Sequence, residues 1–89
     1  MIKIIKAEYL KNYRIRLFFS DGSHGDFDAT DMLRGTGSLL APLHDTAYFS
    51  DFFLELGALC WKNGMELSAD SLQRKLEEAG LLKKDQIAA

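Results

Sequence analysis

The stretch Tyr13-Arg14-Ile15-Arg16-Leu17-Phe18-Phe19-Ser20-Asp21-Gly22-Ser23-His24 decides the fold class. Tyr13, Ile15, Leu17 and Phe19 fall on one side of an extended chain and Arg14 and Arg16 on the other. That is the period-two pattern of a half-buried strand over residues 13–20. An Asp-Gly pair then interrupts the pattern, the strongest short-range signal for a hairpin, with positive φ expected at both central residues. Residues 24–28 return as the partner strand and place Phe27 toward the core.

Upstream, residues 2–10 are apolar and β-branched but alternate imperfectly, and read as a first strand. Downstream, Asp28 reads as a helix N-cap with Asp31 in the first turn, where amides and the helix dipole favour acids. Met32 and Leu33 supply the buried side of that turn and Gly35 ends it. Residues 37–49 are compact and irregular: Pro42 limits helix before it, and Asp45 caps one further turn ending at Phe49. Residues 52–56 and 58–61 read as two strands about Gly57, and Asn63-Gly64 as a turn. Ser68 caps a helix over residues 69–79, with Ala69, Leu72, Leu76 and Ala79 as its apolar stripe. Gly80 stands where a left-handed C-terminal residue belongs, with Leu81 folding back on Leu76.

The expected architecture is therefore α+β: a small antiparallel sheet of two hairpins, short connecting helices, and one C-terminal helix packed on the sheet. Residues 1–82 form one domain and residues 83–89 a C-terminal tail. The composition agrees, with 47% hydrophobic and 27% charged residues in 89. A disordered chain has too little apolar surface to offset its entropy.

Charge and cysteine usage exclude several classes. The net charge is −2, without the basic excess that phosphate binding requires. The basic residues Lys3, Lys6, Lys11, Arg14 and Arg16 crowd the N-terminal segment, whereas residues 17–59 are strongly acidic. If Arg14 and Arg16 face outward together, a weak, salt-dependent affinity for nucleic acid follows; otherwise none is expected. One cysteine, Cys60, forms no intrachain bridge, unlike a small secreted domain. No apolar run reaches the ~18 residues of a membrane span. The expected compartment is the cytoplasm, with no membrane partner.

No constellation for chemistry stands out. Ser20, Asp21 and His24 contain the residue types of a hydrolase, but on a tight hairpin no pocket excludes water. Asp26, Asp28 and Asp31 lack calcium-loop spacing, and His24, His44 and Cys60 lack the spacing of zinc ligands. No catalytic residue, metal or cofactor is expected, and the chain does not read as an enzyme. Phe18 and Phe52 each adjoin a second phenylalanine, so one of each pair faces outward; such patches mark partner surfaces. Trp61, Asn63 and Glu66 put an indole, an amide and an acid about one turn.

Leu17-Phe18-Phe19-Ser20-Asp21-Gly22, Phe27-Asp28, Pro42-Leu43-His44-Asp45 leading to Phe49, and above all Cys60-Trp61-Lys62-Asn63-Gly64-Met65-Glu66-Leu67 followed by Leu72 resemble the bacterial domain-of-unknown-function 2442 family. The resemblance covers roughly residues 2–78. One departure is Glu66, where the family usually has Asp; glutamate caps a turn less well. The resemblance implies a small α+β fold, no established activity, and a toxin–antitoxin-like pairing with a second small family, domain-of-unknown-function 4160. Some members carry a C-terminal helix-turn-helix, which is not expected in these 89 residues. The leading expectation is an interaction module binding a companion protein, or a homodimer, through Phe18, Phe52, Trp61, Asn63 and Glu66. The alternative is a small-molecule-binding or regulatory domain with its site near Trp61, Asn63 and Glu66.

Overall fold

The computed structural model describes residues 1–84. In chain order its elements are β1 (Ile4–Tyr9), β2 (Arg14–Phe19), β3 (Ser23–Asp28), α1 (Thr30–Leu33), a 3-10 turn (Ala41–His44), α2 (Thr46–Phe49), β4 (Phe53–Glu55), β5 (Ala58–Cys60), β6 (Glu66–Leu67), α3 (Ala69–Glu78) and β7 (Lys83–Lys84). Among the described residues they form two antiparallel sheets, one ordered β1-β2-β3-β7 and the other β4-β5-β6. The α+β reading stands, with the two hairpins placed in separate sheets.

The alternation read in residues 13–20 is realised in β2: Ile15, Leu17 and Phe19 are buried while Arg14 and Arg16 are exposed. Tyr13 departs from it. Asn12 and Tyr13 both have positive φ, and the amide of Arg14 donates to the Lys11 carbonyl, so Tyr13 belongs to the tight turn between β1 and β2. Its ring still reaches Phe49, edge-on at 5.2 Å. The imperfect alternation of the first strand has a cause as well. The register slips between Ile4 and Lys6, a bulge that leaves Ile5 outside the pattern and exposed.

The Asp-Gly hairpin forms, but with a different turn. Only Gly22 has positive φ, at +89°. The Gly22 amide donates to the Phe19 carbonyl, and Asp21 accepts from the amide and hydroxyl of Ser23. The side-chain bonds hold Asp21 in an ordinary turn conformation, so glycine alone goes left-handed, as in longer hairpin loops.

Asp28 also sits one place off. It is the last residue of β3 and the cap position of α1 is Ala29, yet the Asp28 carboxylate accepts the Thr30 amide at 2.9 Å, so it serves the helix start from outside. Asp45 and Ser68 cap α2 and α3 as expected, accepting from Ala47 and Ser71. At the end of α3 the Leu81 amide donates to the Leu76 carbonyl and Gly80 to Glu77, the double bond of a left-handed helix stop. Three elements were not legible: the 3-10 turn, β6, which is two residues long and pairs with the edge of β5, and β7, equally short, at the edge of β3. Of the expected tail, Lys83–Lys84 pair with His24 and Ser23; residues 85–89 lie outside those described.

One core joins both sheets. Ile4, Ile15, Leu17, Phe19 and Phe27 from the first meet Leu59 from the second and Trp61 just after β5, with Leu33, Leu43, Phe49, Leu72 and Leu76 closing over them. Each such side chain contributes roughly 1.5–3 kcal/mol by leaving water. The sheets are also tied through backbone, because the Ile4 amide donates to the Gly57 carbonyl at 2.9 Å.

Candidate functional site

The residues that suggested chemistry are occupied in holding the fold. Ser20 accepts the Lys3 amide through its hydroxyl. Asp21 holds Ser23 and accepts from Gln73 of α3, pinning the hairpin to the helix. Those bonds, the Ser23 hydroxyl first, hold the Asp21 carboxyl below its ordinary range. His24 stacks on Phe18, ring centroids 5.9 Å apart. His44 lends its backbone carbonyl to the Tyr13 hydroxyl. Cys60 is buried; burial first, then Glu66 and Glu55, push its thiol pKa up, which makes it a poorer nucleophile. Among the described residues no group of three or more His, Cys, Asp or Glu is arranged to hold a metal ion.

Arg14 and Arg16 do point outward together, on the open face of the first sheet. Each faces an acid across the strand pair. Arg16 makes a two-pronged bond to Asp26 at 2.9 and 3.1 Å, and Arg14 lies 3.9 Å from Asp28. The Arg16 bond is the main reason the Asp26 carboxyl sits low, and the Thr30 hydroxyl does the same for Asp28. Lys6 pairs with Glu8 and lies over the Phe18 ring. The face is thus a mosaic of both signs, not a basic surface.

The residues expected at an interaction surface separate. Phe18 is half-buried between Lys6 and His24. Phe52 leans edge-on against Trp61 and packs on the core; its neighbour Phe53, 42% exposed, takes the outward place. Trp61 is 1% exposed, and its indole N–H donates to the Phe49 carbonyl at 2.8 Å. Asn63 donates to the Leu39 carbonyl and accepts the Met65 amide, stitching a loop to a turn. Glu66 remains at the surface on β6. The indole, amide and acid therefore do not converge: strand alternation sends Trp61 inward from the side shared by Cys60 and Glu66.

What the tertiary structure assembles instead is the outer face of the second sheet. Phe53 faces Cys60 across the β4–β5 pair, Glu55 faces Ala58, and Glu66 faces Cys60 across the β5–β6 pair. Directly opposed residues share a sheet face, so Phe53, Glu55 and Glu66 stand on the same face as the buried Ala58 and Cys60. Leu54, Leu59 and Leu67 take the core side. At the hairpin tip Leu56 is 92% exposed and has positive φ. Nothing in the apolar run of residues 52–56 revealed which phenylalanine would face out, because a one-residue shift of register exchanges the faces.

A second feature is a groove of ≈ 680 Å³ between α1 and α3, with Phe27, Met32, Leu76 and Leu81 among its apolar lining and Arg34 and Lys75 among its charged residues.

Comparison with known proteins gives one match. A family model described as protein of unknown function (DUF2442) matches residues 4–78 of the chain. No curated protein matches it, and no solved structure does.

Proposed function

The chain belongs to the DUF2442 family, described as one of unknown function, and from that premise we propose that it is a non-catalytic protein-interaction module acting with a companion protein, as one half of a toxin–antitoxin-like pair. The observation that carries this reading is the tip and outer face of the β4–β5 hairpin. Phe53 and Leu56 leave apolar surface in water there, and Leu56 does so in a backbone conformation that disfavours a bulky side chain by about 1–2 kcal/mol. Apolar groups kept exposed at the expense of stability are characteristic of partner surfaces. By contrast, the serine, histidine and aspartate residues that would serve an enzyme are engaged in turns, caps and stacking. The pairing belongs in the cytoplasm on this reading, which the single buried thiol supports. No described helix is long and apolar enough to cross a membrane.

Co-expression with the product of the adjacent reading frame, followed by size-exclusion chromatography with light scattering, tests the reading. A stable complex of defined stoichiometry is the expected result. A chain that stays monomeric and captures no neighbour overturns it. The groove between α1 and α3 favours a second reading, a small-molecule binder whose site lies away from Trp61; metabolites that shift the NMR signals of Met32 and Leu76 would move the assignment there.

A further inference from the structure

We propose that the outer face of the β4-β5-β6 sheet docks an arginine-bearing segment of the partner, a guanidinium lying on Phe53 with cations reaching Glu55 and Glu66. The inference rests on the interaction reading above and names the chemistry of the occupant.

Charge complementarity selects that occupant. On the outer face of the first sheet each strand carboxylate meets a cation: Glu8 with Lys6, Asp26 with Arg16 and Asp28 with Arg14. Glu55 and Glu66 are in no ion pair among the described residues. They flank an aromatic ring that is itself exposed. Along β4, Glu55 is two residues from Phe53, roughly 7 Å, and Glu66 is two strands away, roughly 10 Å. An extended chain carrying cations at nearby positions spans such distances.

Arginine suits the surface better than lysine. Its planar guanidinium stacks on an aromatic face while its fork bonds a carboxylate, and it is less strongly hydrated. Exposed Leu56 extends the apolar strip beyond the ring, where the aliphatic stem of an arginine or a neighbouring leucine would rest. The first sheet offers no equivalent, because its acids already hold Arg14, Arg16 and Lys6.

The test uses the intact chain and a fluorescent synthetic peptide alternating arginine with leucine, read by anisotropy at low and at high salt. Versions with lysine or glutamate in place of arginine serve as comparisons. The arginine peptide is expected to bind most tightly and to weaken as salt rises. The double variant Glu55→Gln/Glu66→Gln is expected to weaken it at least tenfold, Phe53→Ser about as much, and Lys75→Gln in the distant groove not at all. Circular dichroism melts establish that each variant is folded. Unchanged affinity in the double glutamine variant overturns the proposal, and so does equal binding of the glutamate peptide. So does a dimer in light scattering that Phe53→Ser dissociates, since a second copy would then cover this face. If the companion protein still co-elutes with the double variant, this face is wrong while the interaction reading stands; if it fails to co-elute with the unaltered chain, the reading itself has failed.

Discussion

The β2–β3 hairpin turns through Ser20-Asp21-Gly22 with a glycine at its single left-handed position, an aspartate bonded to Ser23, and a glutamine from α3 holding the loop down. The β4–β5 hairpin turns through Leu56-Gly57, both left-handed, with a leucine where asparagine or glycine is usual and that leucine almost wholly in water. The outward arginines and aspartates of the first are tied in ion pairs; on the second, Glu55 and Glu66 are in none among the described residues. Both hairpins send side chains into the shared core, where Leu17 and Leu59 are each fully enclosed. The difference teaches that the first hairpin is built for the fold on both faces, whereas the second satisfies the fold on one face only.

That contrast can be broken first at the core. Leu17→Ala and Leu59→Ala should each destabilise by about 2–5 kcal/mol in urea titrations. A negligible effect at Leu59 would mean that the second hairpin is not joined to the core, and the comparison would collapse. Next in size is Gly57→Ala. A β-carbon there would lie 2.6 Å from Lys3 side-chain atoms at a φ of +82°, so a loss of about 1–3 kcal/mol is expected. Nothing stands within 4 Å of the corresponding position at Gly22, so Gly22→Ala should lose only the backbone part, about 1 kcal/mol.

Leu56→Asn should do the reverse and stabilise by up to about 1 kcal/mol, because asparagine tolerates the left-handed region. It should also weaken partner binding, and a variant that gained stability with no loss of binding would remove the functional reason for the leucine. The smallest effect separates the hairpins by pH. Asp21, Asp26 and Asp28 titrate below their ordinary value in the folded chain. They therefore contribute stability that is complete above the unfolded carboxylate value of about 4 and is lost as pH falls through their lower folded values. Asp21→Asn should flatten the acid limb of the stability curve measured by thermal melts, whereas Leu56→Asn should leave its shape alone.

Much of this fold was legible because its signals are local. The alternation in β2, the Asp-Gly hairpin, the serine cap of α3 and its left-handed stop each depend on residues within a few positions of one another. The turn type at Asp21 was misread because a side-chain bond to Ser23 competes with the backbone preference, and β6 was missed because two residues carry no periodicity. The candidate site was half legible. Glu66 was picked out, but Phe52 stood in for Phe53, and Trp61 and Asn63 proved to be structural.

The amino-acid pattern alone determined that this chain is α+β, where its hairpins turn, and where its last helix begins and ends, since capping and period-two burial act over a few residues. Only the tertiary structure decided that the hairpins lie in two sheets, that Phe53 and not Phe52 faces water, and that Glu55 and Glu66 stand beside it. Those facts depend on strand register and on cross-strand neighbours many residues apart, which no local pattern encodes.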